Sequence, residues 1–200
     1  MIKKLKVGIL TGVLLSGFIS FLPSMAGADA YKIDSVHSSI GFSVSHLMVS
    51  QTTGVFNEYE GVVNFDPKDV SMASTEVTIQ TASIDTRSKK RDDHLRTADF
   101  FDVENHPQMT FKSKTFVPSG DKYLITGDLT IKGITKEIAI PVKITGPAAS
   151  PMGGTVLGLS GQVTINRQDF GISWNKSLDN GGMVVGNDVD VLINIEAGKQ

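Results

Sequence analysis

Short stretches of alternating apolar and polar residues recur along this chain of 200 residues, and they constrain its fold more than any other feature. A period of two is typical of a β-strand with one buried face and one wet face. In the first stretch, Ile40, Phe42 and Val44 alternate with small polar residues. Seven more stretches follow, so eight strands are predicted, around residues 39–45, 61–65, 76–80, 109–112, 123–132, 137–144, 157–165 and 188–196.

Each predicted strand has a single apolar face, and the eight faces need one shared interior. The sheet must therefore close or fold on itself. We expect an all-β protein, an eight-stranded antiparallel β-barrel. Pro141 lies inside the sixth stretch, where it cannot donate a ladder hydrogen bond, so it predicts an edge or bulge and imperfect closure.

Residues 87–101 break the alternation with the sequence RSKKRDDHLRTADFF. Leu95, Ala98 and Phe101 follow near-helical spacing, and Asp92 and Arg96 lie four apart, as in a favourable helical ion pair. This predicts a short helix over one barrel opening. Its cations suit a phosphate headgroup at the barrel mouth, or they form a solvated face.

An eight-stranded barrel is either filled by its own side chains or holds one small ligand. Ser113, Gly127 and Gly161 take inward positions among larger neighbours. Each glycine either leaves space for a ligand or bends a barrel corner. A ligand in such an interior would be apolar, and a tail of about twenty carbons gains roughly 16 kcal/mol gross on burial.

The first 28 residues are typical of a cleaved secretory signal peptide, with three lysines, an uncharged stretch and small residues before a cleavage site after Ala28 or Ala30. The alternative is a retained anchor, although the uncharged stretch is shorter than the roughly 20 residues that a spanning helix needs. Residues 29–200 then form a single domain.

Cleavage removes three lysines and no acidic residue, so the net charge changes from −2 to −5. An acidic protein gains nothing electrostatically from nucleic acid, and its charge weakens the case for anionic membranes as the main partner. We expect no nucleic-acid partner and no stable membrane insertion. The chain has no cysteine, which leaves it without disulfides and without the residue that bacterial lipid anchors use. These features predict a periplasmic protein.

Motifs for catalysis or metal binding are missing from the sequence. His37, His46, His94 and His106 lack metal-ligand spacing, so no metal site is expected unless distant residues converge. Gly158-Leu159-Ser160-Gly161 lacks the spacing of a hydrolase nucleophile elbow. We expect a protein that is not an enzyme and has no cofactor. Two alternatives stay open: an enzyme with His94 as base, and a ligand-free structural or stress-response protein.

An ordered series of motifs resembles the YceI-like, or polyisoprenoid-binding, family. These motifs span nearly the whole chain after the signal peptide: residues 31–34, 91–101, 106–111, 125–133, 166–172 and 189–196. The resemblance implies an extended, lipocalin-like barrel in the periplasm, often as a homodimer. It also implies that the protein carries or sequesters a long-chain amphiphilic lipid, of the polyprenyl phosphate or quinone type, in an apolar cavity.

The residues expected to contact this ligand are of two kinds. Apolar contacts are predicted for Phe42, Val44, Phe56, Val63, Phe65, Leu95, Phe100, Phe101, Met109, Phe111, Leu129, Ile131, Phe170, Ile172 and Trp174. Polar contacts are predicted for His46, Arg91, His94, Arg96 and Arg167. For His94 the alternative is a structural role in satisfying backbone groups, and for Arg167 it is a fold-holding pair with Asp169.

Overall fold

Three of the barrel strands are each built from two shorter strands in the computed structural model, which describes residues 27–178 and 181–200. The strands are β1 (Asp29–Ile33), β2 (Ser39–His46), β3 (Ser50–Phe56), β4 (Tyr59–Phe65), β5 (Ser74–Gln80), β6 (Ile84–Asp85), β7 (Gln108–Ser119), β8 (Lys122–Ile131), β9 (Ile134–Ala149), β10 (Thr155–Asn166) and β11 (Val185–Lys199).

The eight-stranded antiparallel barrel is confirmed once the short strands are joined. β1 and β2 both pair with β11, which makes them two halves of one barrel strand. β3 and β4 pair with β2 and β1 respectively, and β5 and β6 pair with β4 and β3. The remaining strands follow in chain order from β7 to β11, and β11 closes the ring.

Polar residues cause the interruption between β1 and β2. The Asp34 amide donates to the Glu196 carbonyl at 2.9 Å, and the Ser38 hydroxyl both donates to that carbonyl and accepts from the Glu196 amide. Side chain and backbone of residues 34–38 thus replace the regular ladder to β11. The alternating pattern predicted only the second half of this barrel strand, β2. Residues 34–38 interrupt the pattern, so β1 was not predicted.

The interior of the barrel divides into two apolar clusters. The closed end is filled by Tyr31, Ile33, Ile40, Val63, Phe65, Phe116, Ile125, Ile140, Val142, Leu157, Leu159, Ile195 and Ala197. The open end holds Phe56, Ile84, Phe100, Met109, Ile131, Phe170 and Ile172. The β2–β3 hairpin, the helix and residues 171–178 and 181–184 lie at the open end, since the strands that they connect turn back there.

Closure is incomplete beside Pro141, as its position in the sequence predicted. β9 pairs with β8 from Ile134 onward, but it pairs with β10 only from Val142. Gly161 sits at this last pairing, where a Cβ would lie 3.0 Å from the Pro141 carbonyl oxygen. The glycine therefore allows a close approach of the two strands at their last pairing, and the 3₁₀ helix Arg167–Phe170 also packs against β9.

Gly127 leaves no space for a ligand. A Cβ at this position would lie 2.7 Å from Cζ of Phe111, so the Phe111 ring already occupies the region. Opposite Gly127, the β7–β8 register shifts between Ser113 and Thr115, and the Ser113 hydroxyl accepts from the Thr75 amide at 2.8 Å. Of the two roles predicted for this glycine, the structure shows a barrel bend.

The predicted short helix is present as α1 (Lys89–Leu95), followed by turns to residue 105. Nearly all of the predicted signal peptide, residues 1–26, lies outside the described residues, and β1 begins at Asp29. Within the described part of the chain, no helix is long and apolar enough to cross a bilayer.

Candidate ligand-binding site

The open end of the barrel contains a cavity with two adjoining lobes. The mouth lobe, next to α1, has a volume of about 400 Å³. The inner lobe, deeper between the strands, has a volume of about 150 Å³. The two adjoin because they share the side chains of Phe42, Val44, Leu95, Phe100 and Val185.

The inner lobe is apolar, with one cation at its wall. Alternating residues of β2, β8 and β11 supply much of the lining, because every second side chain of a strand points inward. The lining residues are Ile40, Gly41, Phe42, Val44, Phe56, Ile79, Leu95, Phe100, Phe101, Met109, Leu129, Ile131, Ile165, Arg167, Ile172, Val185, Val189 and Val191. Such a surface accepts hydrocarbon and offers little to a polar headgroup.

The mouth lobe combines apolar walls with hydroxyls, imidazoles and cations. Its further lining residues are Ser45, His46, Thr52, Thr86, Ser88, Lys90, Arg91, His94, Trp174 and Val184. Among the described residues, no carboxylate belongs to this lining. A ligand with an apolar tail and an anionic or hydrogen-bonding head fits these two linings, with the tail in the inner lobe and the head at the mouth.

A buried hydrogen-bond network fixes α1 at the mouth. The Asp92 carboxylate accepts from the Thr86 amide at 2.9 Å and from the Thr86 hydroxyl. Arg91 donates from Nε to that hydroxyl at 2.7 Å and from Nη2 to the Thr86 carbonyl at 2.8 Å. The Nη1 group of Arg91 has no partner among the described residues, so it is the part of this guanidinium that is free to contact a headgroup.

Arg96 faces away from the cavity. It donates to the carbonyls of Ala82 and Ile84, each at 2.8 Å, and it lies 3.3 Å from the Asp93 carboxylate. The predicted ion pair between Asp92 and Arg96 is wrong, because the Asp92 carboxylate points inward to Thr86. Arg96 therefore joins α1 to the strand that precedes it, and it does not line the cavity.

His94 lies at the mouth between two aromatic rings. Its ring meets those of Phe100 and Trp174 edge-on, with centroids 5.0 Å away in each case. Its Nε2 atom lies 2.9 Å from the Asp99 carboxylate. The aromatic contacts and the contact with Asp99 orient the imidazole as part of the wall.

Arg167 is a buried cation at the inner lobe, with 5% of its surface exposed. Its guanidinium donates to the carbonyls of Gly186 at 2.8 Å and Ile172 at 2.6 Å, and to the side-chain oxygen of Asn187 at 3.3 Å. Burial lowers its pKa. Asp169 is exposed, so the fold-holding contact that the sequence suggested is made to carbonyl oxygens and not to this carboxylate.

Most of the predicted contact residues line the cavity, and five do not. Those that line it are Phe42, Val44, His46, Phe56, Arg91, His94, Leu95, Phe100, Phe101, Met109, Leu129, Ile131, Arg167, Ile172 and Trp174. Val63 and Phe65 fill the core of the closed end and Phe111 packs against it, whereas Phe170 belongs to the core beside the cavity. Arg96 is the fifth.

Several lining residues were not singled out from the sequence. Ile40, Ile79, Ile165, Val189 and Val191 carry the same alternation as the predicted residues, so that signal could have found them. Ser45, Thr52, Thr86, Ser88, Lys90, Val184 and Val185 had no such signal, because they lie at strand ends and in connections whose position over the barrel depends on the tertiary fold.

One group of metal-capable side chains does converge from distant parts of the described chain. Suitable ligand atoms of Asp34, His37 and Glu196 all lie within 4.8 Å of one another. His37 Nδ1 is 2.7 Å from the Asp34 carboxylate, and this hydrogen bond raises the pKa of His37 and lowers that of Asp34. Asp34 and His37 lie between β1 and β2, Glu196 lies on β11, and none of the three belongs to the cavity lining.

Comparison with known proteins agrees with this architecture. The UPF0312 protein SA2479 of Staphylococcus aureus is 38% identical over 160 residues, which are 80% of this chain and 91% of that protein. The crystal structure of Burkholderia cenocepacia BcnA superposes with a TM-score of 0.73 at 28% identity and covers 82% of this chain and 99% of its own.

A polyisoprenoid binding domain from Saccharophagus degradans, implicated in plant cell wall breakdown, has the same fold. It superposes with a TM-score of 0.66 at 14% identity and covers 86% of this chain and 99% of its own. The family model of the YceI-like domain matches residues 31–197, which is nearly the whole described barrel. The chain therefore belongs to the YceI-like family.

Proposed function

We propose that this protein binds a long-chain isoprenoid lipid, of the polyprenyl phosphate or quinone type, and carries or sequesters it in the periplasm. The observation that supports this most is the change in lining along the cavity. An apolar inner lobe leads to a mouth lined by Lys90, Arg91 and His94, and no carboxylate is among the described residues of that lining. The Saccharophagus degradans domain of the same fold is a polyisoprenoid binding domain, which is consistent with this ligand class.

Burial of the tail supplies the binding energy in this proposal. Each buried CH₂ group contributes roughly 0.8 kcal/mol, so a long tail can offset the ordering costs of binding with few polar contacts. The mouth then selects the headgroup. The free Nη1 of Arg91 and the Lys90 ammonium suit a phosphate, and His94 suits a quinone oxygen by hydrogen bonding.

The proposal is one of binding without catalysis. Because the Nε2 atom of His94 is engaged by Asp99, a ligand can reach only its second ring nitrogen, and a catalytic role would need a reacting group within hydrogen-bond distance of that atom. His94→Ala should leave the amount of bound lipid within about twofold, because tail burial dominates the affinity. Loss of a lipid-modifying activity in this variant, with binding intact, would favour the enzyme instead.

Export and assembly are part of the proposal. The intact mass of the protein from its host's cell envelope should correspond to a chain that begins at Asp29. Asp29 supports this boundary, because its carboxylate lies 2.6 Å from the Lys199 ammonium and ties the first strand to the last. Family resemblance also suggests a homodimer, which light scattering of the purified protein tests.

A matched pair of variants on β8 tests the proposed function. Leu129 lines the inner lobe, whereas Leu124 on the same strand is partly exposed. Protein is isolated from its host, extracted with organic solvent and examined by mass spectrometry. Leu129→Trp should lose most of the co-purified prenyl lipid, and Leu124→Trp should retain it at the level of the unmodified protein. Equal lipid in both variants, at unchanged melting temperatures, would count against the cavity as the binding site.

A further inference from the structure

The β2–β3 hairpin holds three consecutive apolar side chains in solvent at the cavity mouth. Leu47, Met48 and Val49, which we call the hairpin tip, are 38%, 70% and 83% exposed. The flanking residues His46 and Thr52 line the mouth lobe. An apolar tip is therefore continuous with the entrance to an apolar cavity.

The backbone of the tip is unfavourable for these residues. Leu47 and Met48 have φ angles of 53° and 62°, and the Val49 amide donates to the His46 carbonyl at 3.2 Å. Three residues separate the paired residues His46 and Ser50. Within this loop, the two successive positive φ angles and the hydrogen bond from residue 49 to residue 46 are typical of a type I′ turn, which favours Asn-Gly. A leucine or methionine in that backbone conformation lowers the stability of the fold. Retaining them at this turn points to a use for their side chains outside the fold.

Cations border the same opening. Lys90 and Arg91 line the mouth lobe, and neither the Lys90 ammonium nor the Arg87 guanidinium has a partner among the described residues. Of the carboxylates near these cations, Asp93 pairs with Lys89 and Arg96, Asp99 contacts His94, and Asp85 accepts from the Arg87 amide. The Lys90 ammonium and the Arg87 guanidinium are therefore two unpaired cations among the described residues, although the net charge of the whole chain is negative.

We propose that the hairpin tip and two nearby cations, Lys90 in α1 and Arg87 just before it, dock the cavity mouth onto an anionic lipid bilayer. The tip enters the headgroup region while Lys90 and Arg87 face lipid phosphates, which is the combination that holds peripheral proteins at membranes. This proposal rests on the proposed function and adds the site of loading and release. Docking lets the lipid tail pass between bilayer and cavity without exposing its whole length to water. Exposure would cost free energy for each CH₂ group of the tail.

Flotation with vesicles tests the docking surface. The vesicles contain equal parts of phosphatidylcholine and phosphatidylglycerol, or phosphatidylcholine alone. The double variant Leu47→Asn/Met48→Gly installs the sequence that the turn prefers, so it should fold at least as stably as the unmodified protein. The control is Val36→Asn/Met152→Gly, which removes apolar side chains that are 83% and 96% exposed away from the mouth.

The unmodified protein and the control should float with the anionic vesicles, and the tip variant should bind them roughly tenfold or more weakly. Added salt and the absence of phosphatidylglycerol should weaken binding of the unmodified protein. Equal flotation of tip variant and control would overturn the proposal, as would failure of the unmodified protein to bind either vesicle. Such a failure would leave a protein partner as the occupant of the tip.

A second measurement separates this proposal from the proposed function. Trp174, the single tryptophan of the chain, lines the mouth lobe, so its fluorescence reports on binding of a short-tailed prenyl quinone in solution. The tip variant should bind the quinone as the unmodified protein does, while it loses vesicle binding. Vesicle binding without any response to prenyl ligands would contradict the proposed function and leave the docking surface supported.

Discussion

The phenyl ring of Phe42 lies over the α-carbon of Gly54, its partner across the β2–β3 ladder. A Cβ at Gly54 would come 2.5 Å from Cζ of that ring and 2.8 Å from a methyl group of Thr86. The ring can therefore lie against the barrel wall only because residue 54 has no side chain. Since Phe42 borders both lobes, this contact sets the width of the passage between them.

The first prediction follows from this contact. Gly54→Ala should displace the Phe42 ring toward the cavity and weaken binding of a short-tailed prenyl quinone about tenfold, because overpacking of this kind costs about 1–3 kcal/mol. Fluorescence titration at Trp174 measures the affinity. Gly198→Ala is the control, since a Cβ at Gly198 meets no atom within 4 Å. Unchanged affinity in Gly54→Ala would show that Phe42 does not limit the passage.

The second prediction contrasts two neighbouring carboxylates of α1. Asp92 is buried and accepts two hydrogen bonds from Thr86, so Asp92→Ala leaves a buried amide unsatisfied and should lower the free energy of unfolding by about 1–3 kcal/mol. Asp93 makes only exposed ion pairs with Lys89 and Arg96, so Asp93→Ala should cost less than about 1 kcal/mol. Urea unfolding compares the two variants, and equal losses would contradict the assigned network.

The third prediction concerns Arg167. Its three acceptors lie on two segments, residues 172 and 186–187, which only a forked guanidinium reaches together. Arg167→Lys should therefore lower the free energy of unfolding by about 2–3 kcal/mol. Arg87→Lys provides the control, since the Arg87 side chain has no partner within the described residues. A lysine variant as stable as the unmodified protein would mean that these contacts do not hold the open end together.

The fourth prediction is a pH dependence of stability from the Asp34–His37 pair. Hydrogen bonding to Asp34, with the charges of Asp34 and Glu196, raises the pKa of His37 above its ordinary value of 6.5. The stabilisation is therefore fully present below that value and is lost as the pH rises through the raised pKa. Hydrogen bonds from His37 and from the Val36 amide lower the pKa of Asp34 below 3.8, so the contribution is also lost as the pH falls through that lowered pKa.

Thermal melts of the unmodified protein and of His37→Gln measure this dependence. The difference between their melting temperatures should be largest at about pH 5, where both charges are present, and should shrink in mildly alkaline buffer. Both groups are exposed, so salt should reduce the difference as well. A difference that is constant across this range would show that the pair does not contribute through its charges.

The strand content could be predicted from the sequence because burial on one face imposes a period of two. Seven of the eight predicted stretches lie within one strand of the barrel, and the fifth, residues 123–132, extends one residue past the end of β8. β3 was missed, because Ser50–Phe56 is largely polar and carries Gly54 where an inward side chain would stand. β6 has only two residues, too few for any period to show.

The depth of each residue along the barrel could not be predicted. Val63 and Phe111 have the same inward alternation as Leu129 and Ile131, yet the first two belong to the closed end and the last two line the inner lobe. Alternation tells which side of the sheet a residue faces. The position of a residue along the barrel axis depends on strand register, and here also on the interruptions between β1 and β2 and between β3 and β4.

Native mass spectrometry of the protein from its host tests the central claim most directly. The account predicts one lipid for each chain, released on activation, with a mass that corresponds to a whole number of isoprene units plus a polar head. Binding should be lost in Leu129→Trp, because the side chain of Leu129 lines the inner lobe. A population that carries only the mass of the bare chain, from cells that make such lipids, would contradict the account.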